Sequence, residues 1–80
     1  MKIPRDISGG NLAKKLEKIG YTKTRQSGSH LRLTKILKED KHHITIPQRK
    51  NLKIGTLNNI LKDVSEIIGI SRNELIRKLF

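Results

Sequence analysis

Arg25-Gln26-Ser27-Gly28-Ser29-His30-Leu31-Arg32-Leu33 is the segment from which the architecture of this chain can be built. It reads as the end of one short strand, a tight turn on Ser27-Gly28, and a second strand opening with Ser29 and His30. Glycine reaches positive φ at no steric cost, so the backbone can reverse sharply there. The reversal sets one imidazole at the mouth of a hairpin, flanked by Arg25 and Arg32. Histidine is the side chain whose ordinary pKa lies nearest neutrality, so it can both take and give a proton. A titratable ring among cations suits a phosphodiester.

Parity along the strands says which side chains are free. From His30 to Leu37, Leu31, Leu33 and Leu37 share one face with Lys35, while His30, Arg32 and Thr34 share the other. Leucines pack inward, so His30 and Arg32 face solvent or a ligand. Upstream, Tyr21 to Gln26 reads as a strand with Tyr21, Lys23 and Arg25 on one side. Tyr21 argues that its own side is buried at that end; a bulge then turns Arg25 out again. Downstream, Lys38 to Lys41 is a charged turn and His42 to Pro47 a third strand, with Ile44 and Ile46 inward and His43 and Thr45 outward. Pro47 closes it, because proline cannot donate to a ladder. His43 is thereby expected on the face of His30, where it could assist. The run Glu39, Asp40, His42, His43 invites a metal site, but adjacent strand histidines point to opposite faces and the acidic pair sits in a turn. A solvated turn is the expectation, with no metal and no cofactor.

Helical patterns flank these strands. Pro4 and Asp6 form an irregular lead-in, and Ser8 is a suitable N-cap for a helix from Gly9 to Ile19, with Leu12, Ala13, Leu16 and Ile19 on its apolar face. Gly20 ends it. Its Lys14, Lys15 and Lys18 form either an RNA-facing surface or a solvated one. Gln48 to Lys53 is a basic connection that includes Arg49. Thr56 is the expected N-cap of a helix carrying Leu57, Ile60, Leu61, Val64, Ile67 and Ile68, which Gly69 ends. Ser71-Arg72-Asn73-Glu74 is a capping box that opens a last helix with Leu75, Ile76 and Leu79. The order predicts an α+β, α-β-β-β-α fold in which an antiparallel three-stranded sheet is covered on one face by helices, plus a short C-terminal helix. Double-stranded-RNA-binding domains use the same order. Residues 1–80 are expected to form a single unit.

Composition narrows the partner. Eighty residues carry a formal charge of +11, a field that draws polyanions and weakens with salt. Nucleic acid is the first candidate. No apolar run reaches the length of a membrane span and no signal-peptide pattern opens the chain, so a cytoplasmic protein is expected. Cysteine is absent, which removes disulfides and thiolate metal sites. Tyr21 and Phe80 are the only aromatics of the Phe, Trp and Tyr class, too few for a sheet that stacks bases on paired rings.

The chain resembles the HicA (YcfA-like) toxins of bacterial and archaeal toxin–antitoxin pairs. The resemblance rests on an ordered set of pieces that reaches from Ile3 to Asp63. It begins with Ile3-Pro4-Arg5-Asp6-Ile7-Ser8-Gly9 and Gly20-Tyr21. Arg25-Gln26-Ser27-Gly28-Ser29-His30 and His43-Ile44-Thr45-Ile46-Pro47 follow, then Lys53-Ile54-Gly55-Thr56-Leu57 and Ile60-Leu61-Lys62-Asp63. It implies a double-stranded-RNA-binding-like fold and an mRNA interferase that cleaves transcripts without the ribosome. It also implies a HicB antitoxin that binds the toxin and blocks it. His30 matches the family's catalytic histidine, with Gly28 and Ser29 beside it. The family often has a second histidine just after Pro47; here Arg49 or His43 would take its place. Read together, the residues predict a metal-independent endoribonuclease. His30 is its acid–base group, and Arg25, Gly28, Ser29, Arg32, His43 and Arg49 hold the substrate. The alternatives are a non-catalytic RNA-binding module and a basic protein that docks an acidic partner.

Overall fold

The computed structural model of the protein describes Ile3 and residues 6–80; Pro4 of the expected lead-in lies outside the described residues. The elements run α1 (Gly9–Glu17), β1 (Tyr21–Ser27), β2 (His30–Ile36), β3 (Lys41–Pro47), α2 (Ile54–Ile68) and α3 (Arg72–Leu79). The strands form one antiparallel sheet in the order β1-β2-β3. This is an α+β fold of the double-stranded-RNA-binding type.

The core lies between the helices and one face of the sheet. Leu31, Leu33, Ile44 and Ile46 meet Leu12 and Leu16 of α1, Leu57, Leu61 and Val64 of α2, and Leu75 and Leu79 of α3. Alternation of leucine and isoleucine in β2 and β3 dictates this, since a strand with one apolar face must bury it. Lys35 shares that inward face, and its ammonium donates to the Ile19 carbonyl at 2.6 Å. It thereby satisfies an acceptor in the turn after α1 while standing 5.9 Å from the centre of the Tyr21 ring.

Local signals place most helix ends. Ser8 accepts from the Asn11 amide at 3.0 Å and Ser71 from the Glu74 amide at 3.1 Å, which satisfies donors that the first turn leaves unpaired. Gly69 takes φ 75° and closes α2. Two boundaries differ from the expectation. Helix α1 stops at Glu17, and a turn over residues 18–20 leads to Gly20 at φ 105°. Helix α2 starts at Ile54, with Lys53 rather than Thr56 at the N-cap. The Lys53 backbone is extended there and its carbonyl takes the first helical bond, from Leu57 at 3.0 Å. Thr56 therefore falls inside the first turn. The apolar stripe of α2 also outruns its cover, leaving Ile67 37% exposed.

Candidate nucleic-acid interface

The hairpin forms with its turn one residue later than expected. β1 continues through Ser27, which pairs with His30, so Gly28 and Ser29 are the two loop residues. Gly28 sits at φ 57° and Ser29 at negative φ, the signs of a type II′ turn whose twist suits a hairpin. Ser29 is thus part of the turn and not of β2. Its carbonyl accepts from the Gln48 amide at 2.6 Å, which ties the turn to the segment after β3.

A bulge decides where Arg25 points. Lys23 pairs with Leu33 and Arg25 with Arg32, so the register slips by one residue between them. Tyr21, before the slip, faces the core at 2% exposure. Arg25, after it, lies on the open face directly opposite Arg32. The extra residue reverses the side of everything beyond it. Among described residues, Arg25, Ser27, His30, Arg32 and Thr45 line one shallow hollow on that face.

His30 stands at a corner. Pro47 is its partner across the sheet, and a second hollow of about 260 Å³ is lined by Ser29, His30, Pro47, Arg49, Lys53 and Thr56, with Leu52 behind them. Backbone bonds hold the far wall: the Gly9 amide donates to the Arg49 carbonyl at 3.0 Å and the Leu52 amide to the Ile7 carbonyl at 2.9 Å. The first turn of α2 opens beside it with no side-chain cap, so its amides add positive potential. No acidic side chain lines either hollow among the described residues.

Adjacent histidines separate as parity predicts. On the core side, His42 Nδ1 shares a hydrogen bond of 2.8 Å with the Tyr21 hydroxyl. Burial, with a smaller push from the Asp63 charge, raises the Tyr21 pKa to about 12. On the open side, His43 Nδ1 bonds the Thr34 hydroxyl at 2.8 Å, and that hydroxyl bonds Thr24 at 2.8 Å. His43 lies four residues along β3 from Pro47, about 13 Å at the rise of a strand. It shares the face of His30 but does not line the hollows that contain His30, whereas Arg49 lines one of them. No group of three or more His, Cys, Asp or Glu side chains converges as a metal site among the described residues.

The structure thus brings Arg25, Arg32, Ser29 and Arg49 around His30 and leaves His43 apart. Gly28 shapes the turn, and a Cβ built on it would meet nothing within 4 Å. Sequence reasoning passed over Lys53 and Thr56. The basic connection was the available signal, but the late placement of the α2 cap pushed both away from the site. It also passed over the Thr24–Thr34–His43 chain, which exists only because the bulge swings Thr24 over Thr34.

No helix is long and apolar enough to cross a membrane. No curated protein and no solved structure matches the chain. A family model described as the HicA toxin of bacterial toxin–antitoxin pairs matches residues 9–65. That span covers more than half of the sequence, from the start of α1 to near the end of α2, and the chain belongs to the HicA toxin family.

Proposed function

We propose that this toxin is a metal-independent endoribonuclease in which His30 is the acid–base group. The observation that carries the reading is an exposed imidazole at the junction of two hollows lined by Arg25, Arg32, Arg49 and Lys53 without an acidic neighbour. His30 takes the proton of a ribose 2′-hydroxyl, whose oxygen attacks the adjacent phosphorus. The bond from phosphorus to the 5′-oxygen breaks, and that oxygen takes a proton from water, to which His30 is open. The products are a 2′,3′-cyclic phosphate and a 5′-hydroxyl. Guanidinium groups of Arg25, Arg32 and Arg49 counter the charge that builds on the phosphoryl oxygens. Ser29, fixed in the turn by its bond to Gln48, offers its hydroxyl to a phosphate oxygen, and Gly28 leaves open space above the turn for the RNA backbone. Metal is not required because the donor set near His30 is cationic and hydroxylic.

The deciding experiment compares the protein with His30→Ala on RNA in EDTA, with a 2′-deoxy substrate beside it. The parent is expected to cleave RNA only, and the variant to bind RNA without cleaving it. If the variant cleaves as fast as the parent, His30 is not the acid–base group. If neither cleaves while both bind, the non-catalytic RNA-binding module replaces this reading. Membership of the family implies an antitoxin, and we assign that role to a HicB protein that seats on the 25–33 hairpin and covers His30. Hydrogen exchange of the complex is expected to slow at β1 and β2; unchanged exchange there would remove the assignment.

A further inference from the structure

Chemistry at one phosphate leaves much of the open sheet face unused. Beyond His30 that face carries a concave tract of about 450 Å³ in which Arg25, Arg32, Lys41 and His43 are the ionisable groups and none is acidic. Arg25 and Arg32 are direct cross-strand partners. Like charges so placed weaken a sheet, and the fold itself gains nothing from the pairing. A bound polyanion offsets it.

The far end of the tract is built rather than loose. Thr34 is 5% exposed on a face where neighbouring side chains are open. Its hydroxyl holds His43 Nδ1 at 2.8 Å while bonded to Thr24 at 2.8 Å. That chain fixes the imidazole and leaves Nε2 for a ligand. Beside it, Ile36 is 69% exposed, an apolar side chain that lines the tract and stands outside the core cluster. Apolar surface offers nothing to a duplex, whose bases are stacked inside. It suits the faces of unstacked bases, as do guanidinium planes.

Arg25 and Arg32 line this tract and also the hollow that contains His30, so the two are continuous. His43 and His30 are about 13 Å apart along the sheet, too far to share one phosphate. They suit successive parts of one strand. We propose that the open face of the sheet is a second subsite that holds single-stranded RNA running on from the phosphate at His30, with His43, Lys41 and Ile36 at its far end. The proposal rests on the reading of His30 as the place where RNA is cut, and it names the substrate as unpaired RNA.

Fluorescence anisotropy with 2′-O-methyl oligouridylates, one short and one long, tests it without cleavage. Ile36→Glu and Lys41→Glu change exposed side chains at the end of the tract, and circular dichroism verifies their fold. Each variant is expected to lose at least tenfold in affinity for the long oligomer, and the advantage of long over short to vanish. Parent-like affinity for the long oligomer in both variants would overturn the subsite. So would a duplex of equal length that binds the parent more tightly than the single strand. Loss of antitoxin binding with unchanged RNA affinity would assign the face to an acidic protein surface instead. The probe cannot be cut by a 2′-hydroxyl, so failure of the subsite and failure of His30 as acid–base group give separate results.

Discussion

Glycines at positions 9 and 28 illustrate how differently one residue type can be required. Gly28 has nothing within 4 Å of a Cβ but sits at φ 57° at the first loop position of a type II′ turn, so Gly28→Ala is expected to cost on the order of 1–3 kcal/mol of backbone strain alone. A Cβ on Gly9 would run into the backbone of Pro47 and Gln48. Gly9→Ala is therefore expected to cost roughly 2 kcal/mol, as overpacking does, and to disturb Arg49 as well. Thermal melts measure both, and an unchanged melting temperature for Gly9→Ala would contradict the packing at Pro47. Tyr21, the single tyrosine of the chain, supplies a second residue-scale prediction. Its pKa is pushed up to about 12, first by burial and then by Asp63. The folded state thus holds this proton longer than the unfolded one. Stability is full below pH 10 and falls as pH rises from 10 to 12, because only the unfolded chain ionises freely there. Tyrosinate absorbance should rise near pH 12 in the native protein and near 10 in denaturant; coincident curves would contradict the burial.

At the scale of elements, the hairpin and β3 position His30 and its cationic neighbours while α3 completes the core. Leu75, Ile76 and Leu79 of α3 are buried in the same cluster as the sheet leucines, although α3 lies beyond the family match. This supports the proposal that residues 1–80 fold as one unit. Ser71 caps α3 through the Glu74 amide at 3.1 Å. Ser71→Ala is expected to cost about 1 kcal/mol, read from a urea midpoint that moves without a change in slope. A single cooperative transition should persist; two separate transitions would mean that α3 folds independently. Elements were the level most legible beforehand. Every helix and strand was expected, since apolar spacing in Leu12–Leu16, Leu31–Leu33 and Leu57–Val64 is dictated by burial. Boundaries were less legible: α1 ends two residues early, the hairpin turn comes one residue late, and α2 starts early because a carbonyl of Lys53 opens that helix without any capping side chain to announce it.

For the molecule as a whole, charge outweighs every local feature. Under the proposed function, a formal charge of +11 on eighty residues makes counterion release a large part of the affinity for RNA. The logarithm of the affinity should fall linearly with the logarithm of salt, and Arg32→Ala should lower that slope by about 0.7 for a single strand. A slope unchanged by Arg32→Ala would place that guanidinium away from phosphate. The same surplus suits an acidic partner that covers the hairpin, so salt should also weaken the complex with an antitoxin.

The amino-acid sequence by itself determined the order of elements, the inward face of β2 and β3, the exposure of His30 and the cationic character of its surroundings. These depend on period, composition and turn chemistry, which are local. Only tertiary structure decided that Thr24 closes over Thr34, that Arg25 faces Arg32, that Arg49 and Lys53 meet His30, and that His43 stands apart from it. The first two follow from a slip of one residue in β1, and the third from backbone bonds that join α1 and the turn to the segment after β3. The last follows from the β2–β3 register, which sets His30 against Pro47 and His43 against Thr34. Register and long-range hydrogen bonds are set by packing between distant segments, and no window of sequence contains both partners.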